Sequence, residues 1–159
     1  MKSLIIVALI MVGLVLGCKN TKKAEADLNP FKGSLAELLP NEFSSDGLKF
    51  KSLGSSAETP KNFADAKEAK FFGYMQEAGG IGVKIEGTLA NYPSAELAQD
   101  KLRRLTKGAD GISVVPDGKN LRVVDESGKS AAWTNGSLVC LISASAKKGL
   151  ENFKNAAPF

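Results

Sequence analysis

Gly128-Lys129-Ser130 carries the closing residues of a phosphate-loop pattern. The full pattern needs a glycine five places before Gly128, where this chain has Val123, and a helix after it, where the residues alternate as a strand. A hairpin turn is therefore the expected role. Gly79-Gly80-Ile81-Gly82 lacks the third glycine of a dinucleotide fingerprint and precedes a strand pattern, so a tight turn is expected there too. Cys140 sits between Val139 and Leu141, an apolar setting that suits a buried core thiol rather than a reactive one. Asp117, Asp125 and Glu126 fall in turn sequences. A hydrolase can use such a carboxylate pair, but nothing in the chain fixes their separation. Calcium would need a denser set of oxygen ligands. The run Lys101-Leu102-Arg103-Arg104-Leu105-Thr106-Lys107 could meet lipid phosphate or an acidic glycan. The expected role is the plainer one, a solvated helix end whose cations suit the helix dipole. No base-stacking aromatics interleave with it, which argues against nucleic acid. Trp133 could stack on a ligand, or it could pack beside a hairpin.

The chain has no histidine, which removes the commonest general base and the commonest transition-metal ligand together. No catalytic spacing remains, no metal or cofactor is implied, and a non-enzymatic role is the expectation.

The elements that must position these residues follow from periodicity. Ser34 to Leu39 reads as a short helix, capped by Ser34 and stopped by Pro40. Leu48 to Leu53 alternates as a half-buried strand. Thr59-Pro60 starts a helical turn through Ala66, and residues 69–76 read as a strand. Ile81, Val83, Ile85, Gly87 and Leu89 fall on every second position of another. Pro93-Ser94-Ala95-Glu96 opens a helix with Ala95, Ala98, Leu102 and Leu105 on one face and Gly108 after its end. Four short strands follow, separated by Pro116-Asp117-Gly118, Asp125-Glu126-Ser127-Gly128 and Asn135-Gly136. A two-residue loop at Asn135-Gly136 would set Trp133 opposite Leu138 and Ala131 opposite Cys140. Trp133, Leu138, Cys140 and Ile142 then share one face. Val139 and Leu141 take the other, so the last strand is central. Ser145 is expected to cap a final helix with Leu150, Phe153 and Ala157 inward. The expected fold class is α+β: an antiparallel sheet, a β-meander in its C-terminal half, with two main helices packed on one face. The layout is similar to that of uncharacterised exported bacterial domains, a likeness of pattern that brings no catalytic motif.

The N-terminus has its own chemistry. Lys2 precedes an apolar run from Leu4 to Leu16, then Gly17-Cys18, and Lys19-Asn20-Thr21-Lys22-Lys23 turns polar at once. A charged start, a short apolar core and a small residue before the cut make a secretory signal peptide. The run is shorter than the roughly 20 residues of a spanning helix. Val15-Leu16-Gly17-Cys18 resembles the lipobox of bacterial lipoproteins. That resemblance implies cleavage between Gly17 and Cys18, a diacylglyceryl group on the Cys18 sulfur, and as a rule an amide-linked acyl chain on the new N-terminus. Lys19 in place of aspartate implies the periplasmic face of the outer membrane in a two-membrane bacterium; in a single-membrane one the site would be the outer face of the plasma membrane.

With Cys18 lipidated, Cys140 has no intrachain partner, and the fold is not a disulfide scaffold. The expected organisation is a signal peptide at 1–17, lipidated Cys18 and a flexible tether at 18–30, and a single α+β domain at 31–159. Only Lys2 of the 21 cations lies in residues 1–17, leaving 20 against 17 carboxylates, too small an excess to specify a partner. The functional expectation is an envelope lipoprotein that binds an envelope protein or glycan. The alternatives are a small-ligand carrier with a pocket between sheet and helices, and a histidine-free enzyme.

Overall fold

Asp46-Gly47 closes the first of a series of tight hairpins, with both residues at positive φ (52° and 77°), the twist that suits paired antiparallel strands. A computed structural model describes residues 30–56, 58–78, 81–157 and 159. The chain runs α1 (Leu35–Leu38), β1 (Glu42–Ser45), β2 (Leu48–Ser55), a 3-10 turn (Lys61–Phe63), β3 (Glu68–Ala78), β4 (Ile81–Asn91), α2 (Ala95–Thr106), β5 (Ile112–Asp117), β6 (Asn120–Asp125), β7 (Ser130–Asn135), β8 (Leu138–Ala144) and α3 (Lys147–Ala156). The strands form one antiparallel sheet in the order β1-β2-β3-β4-β8-β7-β6-β5. Two four-stranded meanders thus meet at the β4–β8 pair, and each is followed by a helix. The architecture is a sheet with few helices, broadly α+β. The Gly79-Gly80 turn and the whole of residues 1–29, with Gly17 and Cys18, lie outside the described residues.

The helices do not share a face, contrary to the sequence expectation. Leu150 and Phe153 of α3 pack with Phe50, Phe72, Ile85, Cys140 and Ile142. Ala98 and Leu102 of α2 pack with Ala90, Ala132 and Val139. Neighbours along β4 (Leu89 and Ala90) and β8 (Val139 and Cys140) belong to opposite cores, because successive strand side chains point to opposite faces. β8 is apolar on both sides, so each of its faces needs its own cover. The α3 face is dense with aromatics: Phe43 stacks on Phe50 at 4.7 Å and Phe72 on Phe153 at 6.0 Å, with Tyr74 and Phe159 against the same group. Burying each such ring stabilises the fold by about 1.5–3 kcal/mol.

Three local corrections have clear causes. The β7–β8 loop is Gly136-Ser137, not Asn135-Gly136, so Trp133 lies opposite Cys140 and Ala131 opposite Ile142. Gly136 takes the first central position with φ 56°. The register moves by two residues, so every side chain keeps its expected face, and Trp133 packs with Leu138, Cys140 and Ile142 as expected. Pro116 and Asp117 belong to β5 rather than to a turn. Proline is tolerated there because β5 is an edge strand. Ser145 does not cap α3: its hydroxyl accepts from the Lys84 backbone N–H at 3.2 Å, and Ala146 takes the cap position.

The α2 reading holds. The Ser94 hydroxyl accepts from Leu97 N–H, and Ala95, Ala98 and Leu102 are buried. Ser34 caps α1 through the Ala36 N–H. Glu68 at the start of β3 adds a second acceptor, taking the Leu35 N–H at 3.0 Å. The segment before α1 is tied to the same end of the sheet. Phe31 N–H donates to the Ser137 hydroxyl at 2.8 Å, that hydroxyl donates to Asn91 Oδ1 at 2.8 Å, and Asn91 Nδ2 donates to the Phe31 carbonyl at 3.0 Å. Ser137 is wholly buried.

Candidate functional site

On the α2 side of the sheet, α2 lies over β5 to β8, its core takes in only Ala69 of β3 and Ala90 of β4, and the rest of β1 to β4 is left uncovered. That uncovered quarter holds the candidate site. In β2, Ser52 pairs with Tyr74 and Gly54 with Gly73, so Leu53 is an extra, unpaired residue. Such a bulge redirects a side chain. Leu53 lies over Gly73, where an added Cβ would sit 3.4 Å from the Leu53 Cβ. Beside it stands Phe71. Leu53 is 52% exposed and Phe71 42%, high values for large apolar side chains. Together with Gly73, Lys84 and Glu86 they line an open depression of about 380 Å³. Lys84 Nζ and Glu86 Oε1 pair at 2.7 Å, with both side chains about half exposed. The Ser56 hydroxyl at the rim is engaged in its own turn, donating to the Glu58 carbonyl and accepting the Glu58 N–H. The arrangement offers an apolar shelf beside one ion pair.

The residues singled out from the sequence are scattered. Gly128-Lys129-Ser130 is the β6–β7 turn, followed by a strand. The Asp125 carboxylate accepts from Ser127 N–H, Ser127 hydroxyl and Ser130 N–H, so an acid fills the place where a phosphate loop would hold an anion. The Ser127 hydroxyl, followed by Ser130, holds the Asp125 pKa down at about 2. Asp117 ends β5 at one end of the sheet, and Asp125 ends β6 at the other. A six-residue strand separates them, about 17–20 Å. Cys140 is 1% exposed and burial pushes its thiol pKa well up. Trp133 is half-buried against the α3-side core. Among the described residues no group of three or more Cys, Asp or Glu could hold a metal ion.

The basic run of α2 is largely neutralised within the chain. Lys101 Nζ meets Asp65 Oδ1 at 2.7 Å and stands 5.3 Å from the centre of the Phe63 ring. Arg104 reaches Asp65 Oδ2 at 3.6 Å, and Arg103 pairs with Asp100 at 3.1 Å. The Lys101 hydrogen bond holds the Asp65 carboxyl below its ordinary range. Tyr92 OH also donates to Asp65 at 3.3 Å. This cluster fastens α2 to the loop before β3.

Leu53 and Phe71 were not singled out by the sequence reading, although signals were present. Leu53 follows Phe50 by three residues, out of phase with the alternation of Leu48 and Phe50. Phe71 and Phe72 are adjacent, so one of them must leave the core face. Comparison with protein families, curated proteins and solved structures finds no match for this chain.

Proposed function

We propose that this chain is a lipid-anchored protein of a bacterial cell envelope whose folded domain acts by binding. The observation that carries the reading is Val15-Leu16-Gly17-Cys18 after Lys2 and its apolar run. Cleavage before Cys18 and transfer of a diacylglyceryl group to its sulfur leave the domain on two or three acyl chains. One chain alone holds only marginally, at about 0.8 kcal/mol per buried methylene, whereas two anchor stably. Among the described residues no helix is long and apolar enough to cross a membrane. Lys19 favours the periplasmic face of an outer membrane where there are two membranes.

Binding rather than catalysis is supported by the candidate site, an exposed apolar shelf beside an ion pair. The partner is an envelope protein or glycan, not nucleic acid. The α3-side interior is filled by stacked aromatics, which weighs against a carrier with its ligand between sheet and α3.

Intact mass of protein extracted from membranes in detergent tests the anchor. The expected mass is residues 18–159 plus a diacylglyceryl group, with or without a third acyl chain. Cys18→Ser should abolish both processing and lipid. An unprocessed chain that begins at Met1, or a mature mass unchanged in Cys18→Ser, would overturn the reading.

A further inference from the structure

We infer that the part of β1 to β4 left uncovered on the α2 side pairs with the same surface of a second copy of this chain anchored in the same membrane, an inference that rests on the lipid anchor proposed above. Three observations point there. The first is charge. Among the described residues this face carries Lys49, Lys51 and Lys84 against Glu42, Glu77 and Glu86. Glu42 lies opposite Lys51, Lys49 opposite Glu77, and Lys84 is ion-paired to Glu86. A neutral mosaic gains nothing from an anionic bilayer, whereas a two-fold copy can set each cation against a carboxylate.

The second is the tether. The chain joins the domain at Phe31, held by Ser137 and Asn91 at one end of the strands. Cys18 lies thirteen residues earlier, within about 45 Å when extended. The tether therefore leaves from that end of the sheet, and the open face is free to stand toward neighbours in the membrane plane. A two-fold axis along the strands leaves both tethers on the same side. The third is the centre of the patch. Leu53 and Phe71, both exposed, provide the apolar contact that a dimer would bury.

The area sets the strength. Four strands about 4.8 Å apart and about five residues long give on the order of 300 Å² of flat face per copy. A standard interface buries about 800 Å² per partner. The pair is therefore weak in dilute solution and depends on confinement to one membrane, which raises the effective concentration.

The test uses the full chain in membranes, with a benzophenone amino acid at Phe71 and, as a control on the opposite face, at Val124. Irradiation should give a band of twice the chain mass from position 71 and none from 124. Leu53→Glu, at an exposed site, should reduce the position-71 dimer about tenfold or more, with unchanged circular dichroism. A position-71 product with phospholipid or with a different protein, or none at all in a folded chain, overturns the pairing. The mass of the uncrosslinked band reports the anchor separately. A lipidated chain without the dimer overturns the pairing alone, whereas the dimer on an unlipidated chain overturns the anchor and its dependence on a shared membrane.

Discussion

Tyr74 and Tyr92 are the two tyrosines of the chain, and both hydroxyls are committed inside it. Tyr74 OH donates to the Pro40 carbonyl at 2.7 Å, and burial pushes its pKa up to about 12. Tyr92 is raised further, by burial first and then by the Asp65 carboxylate to which it donates. A raised tyrosine pKa means that the folded state keeps protons that the unfolded chain releases near pH 10. Their stabilising contribution is complete below about pH 10 and declines as pH rises toward the folded values. The 295 nm absorbance titration should therefore show no tyrosinate step near pH 10. Both phenols should ionise at about pH 12 or above, or abruptly with alkaline unfolding. A smooth step for one tyrosine centred near pH 10 would mean that its hydroxyl is free in solution. Tyrosine burial was partly legible, because Tyr74 lies in an aromatic strand. The Asp65–Tyr92–Lys101 grouping was not, since its members are brought together from separate segments. Lys101 follows Ala98 by three residues and so shares the inner side of α2, which was its one signal.

At the scale of elements, Gly149 decides how closely α3 can approach the sheet. A Cβ placed there would lie 2.3 Å from Val83 Cγ1 on β4, closer than any relaxed contact. Alanine gains about 1 kcal/mol over glycine in helix propensity. Forcing apart a packed helix and strand costs about 1–3 kcal/mol. Gly149→Ala should therefore be destabilising, by up to about 2 kcal/mol, where an exposed helix site would gain. Val83→Ala removes the obstructing methyls, and the double variant should recover most of the loss. Urea denaturation of all four proteins measures the coupling. Additive effects would mean that α3 does not rest on Val83 at this point. Strand β4 and helix α2 were legible, because long runs with one clear period fix element type, whereas β3 followed only from its aromatics against an Ala/Lys/Glu lead-in that also suits a helix. Strand β1 was not, although Asp46-Gly47 is a hairpin signal in its own right. The start of α3 differs from expectation because Ser145 has a stronger use, accepting from β4. Which face a helix covers has no local signature when the strand it packs on, β8, is apolar on both faces.

The two cores make one cooperative body, because β4 and β8 contribute to both. Leu89 and Cys140 face α3, while Ala90 and Val139 face α2. Apart from the single turn of α1, the first meander also lacks a helix of its own: α2 follows β4 in the chain but packs across on β7 and β8. The second meander gives β8 to α3, which bridges β4 and β8. Neither half can be removed without stripping the other's cover. Leu102→Ala in the α2 core should therefore cost about 2–5 kcal/mol, and Phe153→Ala in the α3 core about 3–5 kcal/mol. Both should lower the same thermal transition, with calorimetric and van't Hoff enthalpies equal in each variant. Independent cores would behave otherwise: Leu102→Ala would split the transition in two and leave a component at the original temperature. That result would show the β4–β8 seam to be a boundary between separately folding units. A single shifted transition in both variants makes the β4–β8 seam the structural centre of one cooperative molecule.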